Sequence, residues 1–430
     1  MLRSRTSLLA LLFGTSWVLG QTPGASVSVD QLIEQSFAQN REIQAVQQRL
    51  AEARGQLRQA GNRPVATLES NAGSGRPLGT TGEEEYSIGY FQPIETGGKR
   101  PKRLLVAEKE VELAEAELAE RKRQLAYEIK ARYADAVAAW RKVEAIDRIA
   151  GVNREAYRLV DARVQRDDAA PLDRQLLLVE MNRTEAQRAM LAGQAQAAEV
   201  ELRRAAALPS SDPLKLSTQA LESAVPAVTL EELRRRARAG RPDLRVARTL
   251  AEQSTAELEL AQAQGRPDVT VSAQYARRYS QFEDPIRVMG RGSPLLLQDR
   301  DNVLTLGVSV PLQTRKRNQG NVEAAAARQS AAQLRGRHLE VTAGLEVEAA
   351  WARYEAARKT VAIFHRGVVD ESNRNLGIIR QAYELGQLRL LDVLNEQRRQ
   401  LETQLSSIEA ESELARSAAE LERAVGGELK

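Results

Sequence analysis

The second half of this chain repeats the first, and that limits what it can fold into more than any other feature of the sequence. Val27-Ser28-Val29-Asp30-Gln31-Leu32 returns as Val228-Thr229-Leu230-Glu231-Glu232-Leu233, and Asn40-Arg41-Glu42-Ile43 returns as Arg241-Pro242-Asp243-Leu244, at one offset (228 − 27 = 201; 244 − 43 = 201). Gly89-Tyr90-Phe91-Gln92-Pro93-Ile94 returns as Gly307-Val308-Ser309-Val310-Pro311-Leu312 (307 − 89 = 218). The 17 added residues (218 − 201) fall mostly after Tyr279, which reads as a longer loop in the second copy. So long a period marks a duplicated domain rather than a short-repeat solenoid. Two units are expected, residues 26–219 and 228–426, each ordered lead-in helix, strand, strand, long helix, polar turn, long helix.

With 42% hydrophobic, 28% charged and 4% aromatic residues, the chain has the Ala, Leu, Gln, Glu and Arg content of long helices, not of an aromatic-filled compact core. Net charge is only +4 and no basic run is interleaved with aromatics, so nucleic acid is not an expected partner. Arg3 and Arg5 precede the apolar run Leu8 to Phe13, and small residues follow near Gly20; residues 1–20 are therefore expected to be a secretory signal peptide. Gln21 stands where an exported lipoprotein would carry its cysteine, and the sequence has no Cys, so neither a lipid anchor nor a disulfide is expected. No later segment approaches the roughly 20 apolar residues of a membrane helix. An exported chain of this kind is either soluble or enters a membrane as a β-barrel.

From Lys99 to Arg166 there is no Pro apart from Pro101 in the first turn, and Ile129, Tyr133, Ala136, Trp140 and Val143 follow the four-three spacing of a coiled-coil seam. The seam returns at Val347, Trp351, Tyr354 and Val361 (347 − 129 = 218). Each arm ends in a polar turn, Arg166 to Pro171 in one copy and Glu384 to Gln387 in the other, and a returning helix follows, with Leu394, Leu401, Leu405 and Ile408 on one stripe of the second. A soluble antiparallel bundle would satisfy these helices equally well.

The strands separate the two readings. Strands are expected at about 65–74, 85–93, 268–279 and 302–312. Leu304, Leu306, Val308 and Val310 alternate with Thr305, Gly307 and Ser309; Tyr86, Ile88 and Tyr90 hold the matching phase, as do Val269, Val271, Ala273 and Tyr275. One apolar and one small or polar face suit a membrane barrel with a wet lumen. Four strands cannot close a barrel, which needs about eight or more, so an oligomer is implied, and three copies would supply twelve strands. The expected fold is mainly α with a small β part.

These elements in this order resemble the TolC-like outer-membrane efflux family. The resemblance rests on Arg63-Pro64 and Gly265-Arg266-Pro267 before the first strand of each copy, and on Tyr383-Glu384-Leu385-Gly386 with Leu391-Asp392-Val393-Leu394 at the second turn. The strand-to-helix junction, Gln92-Pro93-Ile94-Glu95-Thr96-Gly97-Gly98-Lys99-Arg100, is particularly similar to the CzcC-like heavy-metal branch. The resemblance implies a homotrimer with a twelve-stranded barrel in outer-membrane lipid, continued by a helical barrel through the periplasm. It also implies docking at the hairpin tips onto a periplasmic adaptor and an inner-membrane efflux pump, with no chemistry and no cofactor in the channel itself. A duct for drugs or for type I protein secretion is the alternative within the family; a periplasmic coiled-coil scaffold without a pore is the alternative outside it.

By resemblance, Asp392 is a pore-entrance residue, and three copies would form a carboxylate ring that favours cations. The family's second acid is replaced by Asn395, which halves the expected charge. A helix-start Asp is the structural alternative. Asp173, Tyr383, Gly386 and Arg389 are the candidate docking residues at the tips, Asp173 matching Asp392 (392 − 173 = 219) although the first turn lacks the Tyr-x-x-Gly signature. Pro93, Gly97, Gly98 and Pro311 mark the junctions. Gly97-Gly98-Lys99 is not a phosphate loop, since Pro93 and Arg100 stand where that motif needs Gly and Ser or Thr; the glycines are expected to bend strand into helix. His338 and His365 are the only histidines, so no dedicated His and Cys metal site is expected, and any metal selection would lie in the pump. No nucleophile, base and orienting group can be placed together, so an enzyme is not expected.

Overall fold

The computed structural model describes residues 27–78, 83–209, 214, 216, 228–283, 296–312 and 318–429; the expected signal peptide lies outside them. The first copy runs α1 (Val29–Gln39), α2 (Arg41–Ala60), β1 (Thr67–Ser74), β2 (Glu83–Ile94), α3 (Lys99–Val164) and α4 (Pro171–Ala205). The second runs α5 (Leu230–Gly240), α6 (Pro242–Gln264), β3 (Val269–Glu283), β4 (Leu296–Ser309), α7 (Gln319–Ile363), a π-helical turn at Phe364–Val368, α8 (Val369–Glu384) and α9 (Leu390–Val425). The 66 residues of α3 reach about 100 Å.

Each lead-in is two helices rather than one, broken where the repeat is most legible. Asn40 leaves helical geometry and its Oδ1 accepts from the backbone N–H groups of Glu42 (2.8 Å) and Ile43 (3.3 Å), capping α2. Arg241 occupies the same place before α6, where Pro242 sits at the first helical position. The second-copy arm also departs from expectation. Its seam residues Val347 and Tyr354 are buried as their counterparts Ile129 and Ala136 are, yet the π-turn divides α7 from α8. In that turn His365 Nε2 lies 3.0 Å from Glu411 Oε1 on α9, and the same carboxylate binds Arg141 of α3.

The four strands form one antiparallel sheet in the order β1-β2-β3-β4, so the central ladder, β2 with β3, joins the two copies. The register carries the expected alternation across all four strands. Leu68, Tyr90, Ala273 and Leu306 stand in one row and Ser70, Ile88, Tyr275 and Leu304 in the next on that face. Glu69, Gly89, Gln274 and Thr305, then Asn71, Ser87, Ala276 and Val303, line the other. Leu304, Leu306 and Val308 are 69%, 76% and 70% exposed, so the apolar face is uncovered in the single chain. Among the described residues, the outer edges, β1 and β4, have no strand beyond them.

Strand limits differ from those expected. β1 starts at Thr67, not 65; β2 covers Glu83–Ile94; β3 continues to Glu283 past 279; β4 begins at Leu296, not 302, and stops at Ser309, before Pro311 can interrupt the ladder. The 17-residue insertion is thus partly strand: β3 and β4 have 15 and 14 residues against 8 and 12 in β1 and β2. Side-chain alternation ends near Tyr279, but backbone pairing continues past it through polar residues such as Ser280 opposite Asp299.

Two cores mirror the duplication. In the first, Leu32, Ile43, Ile129, Ala136 and Leu202 pack together; in the second, Leu233, Val347, Tyr354 and Leu421 do. Arg241 fastens the second copy. Its guanidinium, 1% exposed, donates to Asp243 Oδ2 (2.6 Å), Glu346 Oε2 (2.8 Å) and the Ala424 carbonyl (3.0 Å), tying α6 and α7 to the end of α9. Burial opposes these charges, but the two carboxylates hold Arg241 above its ordinary pKa, and hydrogen bonds from Arg241 with Arg123 nearby hold Asp243 below the usual carboxylate range.

Removing one partner strands buried charge, so Arg241→Ala is expected to cost about 3–5 kcal/mol, measured as a fall in the thermal midpoint by circular dichroism in detergent. A carboxyl whose pKa is depressed by folding adds stability above its unfolded pKa and loses it as pH falls through the folded value. The native chain should therefore lose midpoint on acidification below about pH 4, and Arg241→Ala should show a shallower slope.

Candidate functional site

Two places carry the residues singled out in the sequence: the junction of sheet and helices, and the tips of the two helical hairpins. At the junction Gly97 and Gly98 both have φ of +71°, the left-handed region in which side chains are disfavoured. A Cβ at Gly97 would also fall 2.6 Å from Arg266 Cδ, so the turn is closed against the other copy. Pro93 lies past Phe91, the last β2 residue paired with β1; there Gln92 Nε2 continues the contact by donating to the Pro64 carbonyl at 3.1 Å. Pro311 follows the end of β4.

The basic run after the glycines is consumed in fastening this turn. Lys99 Nζ is 2.8 Å from Asp268 Oδ1, which also accepts the Thr96 N–H at 3.0 Å. Arg100 donates to the Gly61 carbonyl (2.8 Å), and Arg103 to those of Ala60 and Asn62 (3.0 Å each), while Arg103 also grips Glu95. The last carbonyls of α2 have no partner within their own helix, and a guanidinium at that negative dipole end satisfies them. Asn318 does the same for the Ala261 carbonyl of α6 at 2.6 Å. The junction is a joint that holds strands on helices.

At the far end the two hairpin tips meet. Val160 and Leu177 of the first hairpin pack with Leu390 and Leu394 of the second, and Tyr383 and Tyr157 close around them. Tyr383 lies near Asp173 across the tips; burial first, then the Asp173 charge, raises its hydroxyl pKa against the opposing pull of Arg163. Asp392 is exposed and its Oδ2 accepts the Arg389 N–H at 3.1 Å, so it does complete the first turn of α9. That bond leaves its charge facing solvent. Asn395, one turn on, is exposed as well, and so is Arg389. Asp173 holds the corresponding third position of α4 and is half-buried.

Gly386 (φ +73°) ends α8: its N–H donates to the Tyr383 carbonyl and that of Gln387 to Ala382, both at 2.9 Å. The first tip, which lacks the Tyr-x-x-Gly signature, builds the same turn. Asp167 has φ of +61°, its N–H donates to Val164 (3.1 Å), and Asp168 donates to Arg163 (2.8 Å). The signal for it was the offset that matches Asp173 to Asp392, since 386 − 219 = 167. A non-glycine residue in this region costs about 1 kcal/mol. Asp167→Gly is expected to stabilise the first hairpin by up to about that amount and Gly386→Ala to destabilise the second by as much, read from thermal melts of the two variants.

Among the described residues, no group of three or more His, Cys, Asp or Glu is arranged to hold a metal ion, and no helix is long and apolar enough to cross a membrane. Likeness to known proteins places this geometry. The chain shares its fold with the outer-membrane channel OprN (TM-score 0.72, 21% identity, covering 93% of this chain and 90% of that one). It is similar to CusC, described by its transmembrane channel formation (TM-score 0.72, 18% identity, 95% and 96% covered). It is also similar to the open MtrE outer-membrane channel of Neisseria gonorrhoeae (TM-score 0.71, 19% identity, 94% and 89% covered). No curated protein matches by sequence. The sequence profile of the outer membrane efflux proteins, in contrast, matches residues 32–208 and 233–427, nearly the whole of both copies. The chain therefore belongs to the outer membrane efflux protein family, and it is an outer-membrane efflux channel rather than an enzyme.

Proposed function

We propose that three copies of this chain close a twelve-stranded barrel in the outer membrane and a helical tunnel below it. The assembly is a passive duct for heavy-metal cations, fed by a periplasmic adaptor and a proton-driven inner-membrane pump. The observation that carries the duct is the sorted sheet: an uncovered apolar face, a polar face and two open edges, continuous with helices far longer than a globular core uses. Unpaired edges are not tolerated in lipid, so β1 of one copy pairs with β4 of the next. Exposed apolar residues on α4 (Val179, Met190, Val200) and α7 (Leu334, Val341, Leu345) supply further contact between copies.

The cation reading is supported by the likeness of the junction segment to the heavy-metal branch and by Asp392. Around a threefold axis its exposed carboxylate forms a ring at the tunnel entrance, with Asn395 as an uncharged second layer. The tip turns carry Asp173, Tyr383, Gly386 and Arg389 beside the exposed Leu172 and Leu385, a mixed apolar and charged surface fit for an adaptor hairpin.

Asp392→Asn keeps an acceptor for the Arg389 N–H and removes the charge. Its bilayer recordings are expected to show a reversal potential shifted toward lower cation preference; an unshifted potential rejects the ring. Crosslinked purification from native membranes, with partners identified by mass spectrometry, tests the cargo. A proton-driven cation pump with its adaptor supports metal export, whereas an ATP-driven exporter moves the assignment to drugs or secreted proteins.

A further inference from the structure

The end of the sheet away from α3 and α6 sorts its charges between the two faces. On the polar face the last rows bring together Glu85, Arg278 and Asp301, then Glu83, Ser280 and Asp299. Arg278 lies 3.4 Å from Glu85, so this face keeps carboxylates to spare. On the apolar face the neighbouring rows are Tyr86, Arg277 and Asn302, then Glu84, Tyr279 and Arg300. Arg277 and Arg300 are exposed, and among the described residues neither has an ion-pair partner. They are diagonal neighbours across β3 and β4, about 7–8 Å apart along the backbone. The Arg300 guanidinium lies over the Tyr279 ring, 5.4 Å from its centroid, which steadies the side chain and leaves its N–H groups for an acceptor. Tyr275, in the apolar row below, donates its hydroxyl to Asn302 Oδ1 at 2.8 Å. Half-buried Glu84 is the one carboxylate in these two rows.

We propose that Arg277 and Arg300, with the tyrosines beside them, bind the phosphate of a glycolipid in the outer leaflet. The inference rests on the channel reading, in which the apolar face meets lipid and the helices leave on the periplasmic side. Arg300 precedes Val310, on the same face, by ten residues (310 − 300 = 10). That is about 34 Å of strand and, at the tilt of a membrane barrel, about 26 Å of height. An apolar band of about 25 Å therefore ends where the guanidiniums begin. A guanidinium at that level meets headgroups, and its planar fork takes a phosphate through two parallel hydrogen bonds. Tyrosine, with an apolar ring and a polar tip, suits the same boundary. Closing the barrel does not neutralise the pair, because β1 of the next copy brings Ser70, Ala72 and Ser74 to this face beside β4, none of them charged. Two guanidiniums against one carboxylate leave positive charge on the lipid side of the wall, where an anionic headgroup lies.

Lipid retained by the protein purified from membranes in detergent is read by native mass spectrometry. The probes are lipid A, whose glucosamine disaccharide carries phosphate, and dephosphorylated lipid A with the same acyl chains. The native protein is expected to retain lipid A about tenfold better than the dephosphorylated form. Arg277→Gln combined with Arg300→Gln should abolish that preference, and Arg278→Gln, on the other face, should keep it. Equal retention of the two lipids by the native protein, a preference that survives in the double variant, or one lost equally in Arg278→Gln overturns the proposal. Inorganic phosphate that displaces lipid A at equal concentration does so too, marking a general anion site. Should the double variant fail to fold, the two lipids compared on the native protein still decide. Release from native membranes by high salt without detergent rejects the channel reading and this proposal with it, whereas a membrane-held protein without the preference rejects this proposal alone.

Discussion

Backbone pairing between β2 and β3 is the interaction on which the rest of the molecule depends. Its register, from Glu83 opposite Ser280 to Ile94 opposite Val269, joins one copy of the duplication to the other. It also sets both α3 and α6 at the same end of the sheet, where they pack side by side. Lys99 with Asp268, and Gly97 against Arg266, hold that arrangement at the point where strand becomes helix. A sheet built from two copies in this way has one internal seam satisfied and two edges left open. Open edges would leave a single chain incomplete in lipid, which is the ground for the proposed three-copy barrel.

The charges of this chain act mostly in fastening. Arg100 and Arg103 close the end of α2, Arg241 joins three helices, and Arg398 holds a buried carboxylate in the hairpins. Arg103, Arg241 and Arg398 are buried or half-buried and hydrogen-bonded more than once, unlike the exposed pairs along the helix surfaces, which contribute little each. The high charge content, nearly balanced at a net +4, is therefore an architectural property, and the absence of an aromatic-interleaved basic run agrees with it.

The duplication is close in the cores and looser at the ends. Leu32 and Leu233, Ile129 and Val347, Leu202 and Leu421 hold equivalent buried places. By contrast the second copy has longer strands, a π-turn with His365 against Glu411, and Gly386 where the first has Asp167. Core positions are constrained by packing on two or three neighbours at once, so they diverge within apolar volume. Turns and strand ends carry fewer such constraints, and it is there that the two copies differ.

From its sequence alone this chain specified the duplication, the helical arms, the two-faced strands and the need for more than four strands. All of these follow from side-chain period, two for a strand and about three and a half for a coiled-coil seam, which neighbouring residues express without help from the rest of the fold. The glycines that turn strand into helix were legible for the same reason. Tertiary structure decided what the polar residues do. That Arg103 seeks carbonyls of α2, that Arg241 meets Glu346, and that Asn153 is bonded to Thr184 and Gln397 depends on groups brought together from distant parts of the chain. A hydrogen bond requires a partner at one distance and direction, and no local periodicity encodes which distant element supplies it.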